Sequence, residues 1–180
     1  MDVQSTKDKQ VVVHHDKTLL RLTGLDEPVS NINYDEIPKC LEEVELPFGE
    51  STYVQKPGID DGKIPLLKDV FRDNPGVAMN IDLKGGDSEQ LFEVYKLITE
   101  YQREKITYFG DMNEKKNRKA EEMGKDAGIR TFRSISGTLF TIVFYFLGIL
   151  QFLPFRNYSI WFPFFGPKKI ASIRNRFGNS

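Results

Sequence analysis

The first 24 residues contain two short runs with the character of β-strands. Residues 2–6 and residues 11–13 are rich in β-branched side chains, and a charged turn at residues 7–9 separates them. Two such runs joined by a polar turn predict a hairpin or two adjacent strands. A His-His-Asp sequence at residues 14–16 follows the second run directly. Groups that can bind a metal or transfer a proton are therefore predicted to lie at a strand end.

From residue 64 onward, helical and strand-like periodicities alternate. Helices are predicted at about 66–74, 87–104 and 113–127, and strands at 77–84, 106–109 and 129–132. This alternation indicates βαβ units, and hence a parallel sheet or a (β/α) barrel. In contrast, residues 25–63 are rich in Pro, Gly, Asp and Asn and lack sustained periodicity. They predict a long loop with one helical turn near residues 34–37.

A segment without charged residues, 134–155, follows the last predicted strand. Its 22 residues match the length of a spanning helix, which needs about 20 predominantly apolar residues. Several polar residues dilute it, and Pro154 ends it. Three interpretations stay open: a transmembrane helix, a hydrophobic helix lying on a bilayer, and a buried barrel helix. We divide the chain into an α/β domain at 1–133, this helix, and a basic, aromatic-rich tail at 156–180.

The net charge is only −1, but the charged residues are distributed unevenly along the chain. All 26 acidic residues lie before residue 135, and the five basic residues after that point have no acidic neighbours in sequence. An acidic body would repel phosphates, which argues against nucleic acid as a partner. A basic tail with aromatic residues fits a membrane surface. Cys40 is the only cysteine, which excludes an intrachain disulfide and a thiolate metal cluster.

Three predicted strands carry polar groups that could converge at one sheet edge. Asp2 lies in the first strand, His15 at the end of the second, and Asp82 with Lys84 in the strand at 77–84. Two carboxylates suit Mg²⁺ or Ca²⁺, which prefer oxygen ligands. An imidazole could be a further ligand or transfer a proton, and a lysine would meet a developing anionic oxygen. From these residues alone, solvated strand ends are the alternative.

The stretch DVQSTKDKQVVVHHDKTLLRLTG resembles the glycerophosphodiester phosphodiesterase family, in which a segment runs E-x-D-V-x-x-T-K-D-x-x-x-V-V-x-H-D-x-x-L-x-R-x-T-G. Besides Val3, twelve residues match in register: Asp2, Thr6, Lys7, Asp8, Val12, Val13, His15, Asp16, Leu19, Arg21, Thr23 and Gly24. Residues 64–71 are similar to the family's IPLLKEVF helix start. Residues 80–84 are similar to its E-x-K strand, with Asp82 in place of Glu. With the segment at 134–155, the chain resembles most the membrane-associated branch that acts on lysophospholipids as a phospholipase D.

The resemblance implies a (β/α)₈ TIM barrel, a divalent cation (Mg²⁺ or Ca²⁺), and hydrolysis of glycerophosphodiesters or lysophospholipids. It implies that Asp2 and Asp82 are metal ligands and that Lys84 binds the phosphate. His15 would complete the metal shell or transfer a proton. Asp16 would either orient His15 or be structural, because successive strand residues point to opposite faces. His14 is expected to point away from the site.

The sequence departs from the family pattern at both ends. The family's H-R-G histidine, its E-N-T glutamate and the glutamate two residues before Asp2 have no counterpart here. A full barrel takes about 250 residues, so we expect an incomplete barrel with impaired activity. We hypothesise that Met1 is an internal residue of a longer protein.

The sequence therefore predicts an α/β, incomplete TIM-barrel chain with a hydrophobic helix. Its function would be metal-dependent phosphodiester hydrolysis of the lysophospholipase D type, at an intracellular membrane. The alternative is a catalytically dead, membrane-anchored remnant with a regulatory or interaction role. Partners would be the substrate and membrane lipid, and not nucleic acid.

Overall fold

A six-stranded sheet organises the computed structural model, which describes residues 1–46, 51–56, 58, 61–85, 88–132, 134–149 and 152, and the backbone of 158–159. The strands are β1 (Asp2–Ser5), β2 (Val11–Val13), β3 (Glu43–Glu45), β4 (Thr52–Val54), β5 (Met79–Leu83), β6 (Thr107–Gly110), β7 (Arg130–Phe132) and β8 (Tyr158–Ser159). The α-helices are α1 (Leu20–Thr23), α2 (Leu67–Asp73), α3 (Ser88–Glu100), α4 (Glu114–Ala127) and α5 (Ile135–Phe146).

The order of strands in the large sheet is β2-β1-β5-β6-β7-β8. β2 is antiparallel to β1, which confirms the predicted hairpin, and every other neighbouring pair is parallel. Helices α3, α4 and α5 connect successive parallel strands from β5 onward. This repeated strand–helix connection confirms the predicted βαβ units and is the arrangement of a TIM-barrel-like fold.

The hydrophobic core lies between the sheet and helices α2 to α4. In β5 the apolar residues predicted for one face are buried, whereas Asn80 and Asp82 are partly exposed on the other. Helix α3 buries Leu91, Val94 and Ile98 against the sheet, as its helical spacing predicts. The polar side chains of β1 and β5 therefore lie on the face of the sheet opposite this core, where a site can form.

Local capping explains where α4 begins and ends. The Asn113 side chain accepts hydrogen bonds from the backbone N–H of Lys115 and Lys116 at the first turn. Gly128 ends the helix in the left-handed conformation, with φ at 70°. Helix α4 thus starts directly after β6, and its first turn lies beside the carboxyl end of that strand.

The predicted loop at 25–63 contains more structure than its sequence indicates. Its helical turn is confirmed as a 3₁₀ turn at Tyr34–Glu36, and a second one lies at Val29–Asn31. The ribbon of β3 and β4 was missed, because its residues are almost all polar or exposed. Tertiary pairing, and not hydrophobic alternation, forms these strands.

The prediction of one continuous helix over 134–155 is wrong. Helix α5 has 12 residues, about 18 Å at 1.5 Å per residue, whereas a bilayer core is about 30 Å thick. It ends because Leu147 caps it and Gly148 turns the backbone to a φ of 70°. Within the described residues, no helix has both the length and the apolar character needed to cross a membrane. Except for the backbone of 158–159, the predicted basic tail lies outside the described residues.

Candidate functional site

Strand register brings two of the predicted carboxylates side by side. Asp2 of β1 pairs with Asp82 of β5, and Asp82 pairs in turn with Gly110 of β6. These positions lie near the carboxyl ends of β5 and β6, where α/β barrels place their catalytic groups. Asp111 follows Gly110 directly and is buried. The sheet therefore concentrates negative charge at one edge.

The ammonium of Lys84 lies between the two aspartates. Its Nζ is 2.6 Å from Asp82 Oδ2 and 3.3 Å from Asp2 Oδ1. Burial raises the pKa of Asp82 above its ordinary value; Asp2 and Asp111 add to this rise, and Lys84 opposes it. Burial by itself would lower the pKa of Lys84, but the two aspartates outweigh it and the pKa is raised. Lys84 is therefore protonated at neutral pH and forms ion pairs with both aspartates.

Two buried oxygen atoms at this site have no hydrogen-bond partner among the described residues. They are Oδ1 of Asn80 and Oδ1 of Asp82, two residues apart on the same face of β5. Buried polar atoms are normally satisfied, and oxygen ligands of this kind suit a hard divalent cation. These oxygen atoms are therefore the type of ligand that a divalent cation prefers. In the part of the chain that the structure describes, however, no group of three or more His, Cys, Asp and Glu residues could hold a metal ion.

His15 is held by a carboxylate that is itself held by an arginine. Its Nδ1 is 2.9 Å from Asp16 Oδ1, and Arg21 Nε donates to Asp16 Oδ2. Burial alone would raise the pKa of Asp16, but the bonds from His15 and Arg21 outweigh it, so the pKa is lowered. An ionised Asp16 accepts a hydrogen bond from Nδ1–H, which leaves the lone pair of the neutral ring on Nε2. Of the two predicted roles of Asp16, the orienting one agrees with this contact.

The backbone of His14 lies opposite Asp2 in the hairpin, and the expectation that its ring points away from the site stays a prediction. Its backbone N–H donates to the Asp2 carbonyl. The side chain is buried, with Nε2 3.0 Å from the Thr18 carbonyl. Burial lowers the pKa of His14, so the ring is neutral at pH 7. The alternation of side chains along β2 predicts this position, because His14 continues the face of Val12.

A cleft of about 530 Å³ borders Lys84 and carries further lysines. Its polar lining includes Gln4, Thr6, Lys7, Lys9, Lys17, Lys84 and Gln90. Lys9 forms an ion pair with Glu89 at 2.7 Å. A cationic cleft beside a pair of carboxylates suits an anionic substrate, because the cations offset the repulsion of the carboxylates.

Asp111 is the residue of this edge that sequence reasoning missed. Its backbone N–H donates to Asn117 Oδ1 at 3.1 Å, and its Oδ1 accepts from the backbone N–H of Asn113 at 2.7 Å. Asn117 is buried and also donates to the Phe132 carbonyl at 2.8 Å. A carboxylate two residues after the end of the predicted strand 106–109 was the available signal.

Similar proteins are lysophospholipases D. The chain is 34% identical over 157 residues to lysophospholipase D GDPD1 of Mus musculus, covering 87% of this chain and 48% of that protein. It is 27% identical over 154 residues to lysophospholipase D GDPD3 of Homo sapiens, covering 86% and 47%. The chain thus spans about half the length of these relatives.

Solved structures show the same fold at low identity. The glycerophosphodiester phosphodiesterase of Agrobacterium tumefaciens superposes with a TM-score of 0.62 at 16% identity, over 96% of this chain and 78% of that one. The enzyme of Thermotoga maritima gives a TM-score of 0.56 at 20% identity, over 97% and 76%. The family model of glycerophosphoryl diester phosphodiesterases matches residues 1–147. The resemblance found in the first 24 residues is therefore confirmed, and this chain belongs to the glycerophosphoryl diester phosphodiesterase family.

Proposed function

We propose that this chain carries part of a phosphodiester-hydrolysing site for glycerophosphodiesters or lysophospholipids. The observation that supports it most is the cluster of Asp2, Lys84 and Asp82 at the carboxyl edge of a parallel sheet. Its position is where the fold places chemistry, and its charges suit a phosphoryl group and a cation. Membership of the family supports the reaction class.

The residues divide into binding and proton-transfer roles. Asp2 and Asp82 would hold a divalent cation, Mg²⁺ or Ca²⁺, with the unpartnered Asp82 Oδ1 facing it. Such a cation polarises a phosphoryl oxygen when bound. Lys84 would bind the phosphate through its ammonium, which the carboxylates keep protonated. His15, oriented by Asp16, would move a proton at Nε2.

The 180-residue chain by itself would hydrolyse slowly. Two carboxylates on neighbouring strands, Asp2 and Asp82, give fewer ligands than the six to eight oxygens around Ca²⁺ or the octahedral shell of Mg²⁺. Water would have to supply the remainder, which weakens cation binding. A non-enzymatic, membrane-bound remnant is the second candidate, and the absence of a third grouped ligand among the described residues favours it.

A lipid surface is the partner that we propose for α5. Much of this helix is exposed, and the exposed residues of the helix and of its cap Leu147 are large and apolar: Ile135, Leu139, Phe140, Val143, Tyr145, Phe146 and Leu147. A helix too short to span can lie in the interface with its apolar face in the acyl boundary. This placement keeps the bilayer-surface interpretation and would bring lipid substrates near the sheet edge. Vesicle flotation of the chain tests it, and Phe140→Ser with Phe146→Ser should abolish flotation.

Choline release from lysophosphatidylcholine tests the enzymatic proposal. The chain is assayed with Mg²⁺ or Ca²⁺ and again after chelation, beside Asp82→Asn and Lys84→Met. Each substitution should lower turnover by about 100-fold, since removing one charge-stabilising group costs about that much. Asp126→Asn, an exposed acid on α4, is the matched control and should keep full turnover.

The outcomes separate the two candidates. Metal-dependent release that Asp82→Asn abolishes supports the proposed site. Release that persists in Asp82→Asn would overturn the assignment of that residue. A chain that releases no choline, yet floats with vesicles, favours the remnant.

A further inference from the structure

A second cationic cavity lies beside the proposed catalytic edge, on the helix side of the sheet. It has a volume of about 260 Å³ and is lined by Leu83, Ser88, Leu91, Asp111, Lys115, Lys116 and Lys119. Leu83 ends β5 and points away from Asp82, because successive strand residues face opposite sides. Because Leu83 lines the cavity, the cavity lies on the opposite face of β5 from the Asp82 side chain, and Asp111 borders both.

Positive charge dominates the cavity. Lys115, Lys116 and Lys119 contribute three ammonium groups, and Asp111 contributes the one carboxylate among the described lining residues. That carboxylate is 3.8 Å from Lys116 Nζ, at the outer limit of an ion pair, and its other oxygen is taken by the Asn113 backbone N–H. Among the described lining side chains, the three positive charges therefore exceed the single negative charge by two.

The lysines are also placed where their own helix disfavours them. Four basic residues of α4, Lys115, Lys116, Arg118 and Lys119, lie in its first half with Glu114, whereas Glu121, Glu122 and Asp126 lie in its second half with Lys125. The helix dipole disfavours cations in the first turn, where Lys115 and Lys116 lie. A bound anion would offset the unfavourable interaction between these lysines and the helix dipole.

Ser88 adds a hydrogen-bond donor suited to an oxyanion. Lys119 Nζ donates to Ser88 Oγ at 2.6 Å, so the hydroxyl proton stays available for another acceptor. The volume exceeds that of several waters, at about 30 Å³ each. Leu83 and Leu91 give one apolar wall, where the carbon attached to a phosphate would lie.

We propose that this cavity is a phosphate-binding site distinct from the proposed catalytic edge, selective for a dianionic phosphate group. A dianion balances the excess charge of the three lysines, and its oxygens accept from the ammoniums and from the Ser88 hydroxyl. Free phosphate and the phosphate of a monoacyl lipid monoester share this chemistry. A choline phosphodiester carries one phosphate charge and a cation, and it binds more weakly.

Calorimetric titration of the 180-residue chain with inorganic phosphate at pH 8 and low ionic strength tests the site. Lys115→Gln, Lys116→Gln and Lys119→Gln are combined in one variant. A control variant combines Lys63→Gln, Lys68→Gln and Lys105→Gln, which makes the same change in net charge at exposed positions elsewhere. We expect a saturable site whose affinity for phosphate is at least tenfold weaker in the cavity variant and unchanged within twofold in the control.

Three results would overturn the proposal. They are the absence of saturable phosphate binding, an equal loss in both variants, and equal affinity for phosphate and glycerophosphocholine. A second arm uses a short-chain monoacylglycerol phosphate below its aggregation concentration. Tighter binding than inorganic phosphate identifies a lipid headgroup as the ligand, and equal binding identifies the phosphate alone.

Thermal unfolding distinguishes a phosphate-binding role of the three lysines from a purely structural role. Without phosphate, the cavity variant should melt no lower than the wild type, because the substitutions remove repulsion from the helix dipole. Phosphate should raise the melting temperature of the wild type and leave the variant unchanged. Lys116→Gln alone repeats the test if the triple variant fails to fold. Asp82→Asn should retain phosphate binding, which separates this site from the proposed catalytic one.

Discussion

The ammonium of Lys84 compensates two carboxylates at once, so Lys84→Met isolates the electrostatics of the proposed site. The substitution keeps an unbranched apolar stem and leaves Asp82 and Asp2 without the cation at 2.6 and 3.3 Å. Exposed ion pairs contribute up to about 1 kcal/mol, whereas breaking a buried pair costs about 3–5 kcal/mol. The side chains of Asp82 and Lys84 are 15% and 27% exposed, which places them between these limits. We expect a loss of about 2 kcal/mol in the free energy of unfolding at pH 7.

The pH dependence of this loss follows from the pKa of Asp82. Burial already raises that pKa above 3.8, and removing the opposing influence of Lys84 raises it further. A carboxyl whose pKa is higher in the folded state favours folding while protonated. That contribution is lost as the pH rises from 3.8 through the folded-state pKa. The difference between wild type and variant should therefore be small near pH 3.5 and complete at pH 7.

Urea unfolding at several pH values measures this directly. With a slope of about 2 kcal/mol per molar urea, the midpoint should fall by about 1 M at pH 7. The Asp82→Asn, Lys84→Met double variant should recover part of the loss, giving a coupling energy of about 1–2 kcal/mol. Lys68→Met, exposed on α2, is the control and should be neutral. A loss that is equal at pH 3.5 and pH 7, or no loss at all, would refute the reasoning.

Three further substitutions probe the surroundings of the site. Arg103→Met should cost about 3 kcal/mol in chemical denaturation, because a buried guanidinium that donates to three backbone carbonyls is removed; a loss below 1 kcal/mol would contradict this. Gly110→Ala should cost about 2 kcal/mol, since an added Cβ would lie 2.4 Å from Asn117 Oδ1, and an unchanged melting temperature would show that Asn117 moves freely. Asp16→Asn should cost about 1 kcal/mol at pH 7. Because the pKa of Asp16 is lowered, its contribution to the free energy of unfolding is present above pH 3.8 and is lost as the pH falls below that value. The stabilities of wild type and variant should therefore become equal in acid. A difference that stays constant with pH would argue against the ion pair with Arg21.

Local signals were sufficient for the strand–helix alternation. The alternate apolar residues of β5 and the helical spacing in α3 predicted these elements within a few residues. The carboxyl terminus of α3 was placed at residue 104 and lies at Glu100, since apolar spacing continues to Tyr101 after the helix ends. Spacing shows where burial occurs and does not fix where the last helical hydrogen bond forms.

The candidate site was predicted in part. The sequence brought Asp2, Asp82 and Lys84 to one sheet edge, and the register confirms that they meet. The catalytic and metal-binding roles of these residues and of His15 stay predictions. Asp111 was missed although its place just after a predicted strand was a signal, because only the strand register shows that β6 ends beside β5.

Sequence by itself determined the family, the βαβ class and the residue types that carry the chemistry. Twelve positions in fixed spacing and two hydrophobic periods are local properties of the chain, so they are readable without coordinates. Only tertiary structure decided which charges lie together. Lys84 sits between carboxylates from two strands that are 80 residues apart in sequence, and three lysines of α4 enclose a cavity with Ser88 of α3. Such contacts depend on strand register and helix packing, whose energies come from burial across the whole core and from no single motif.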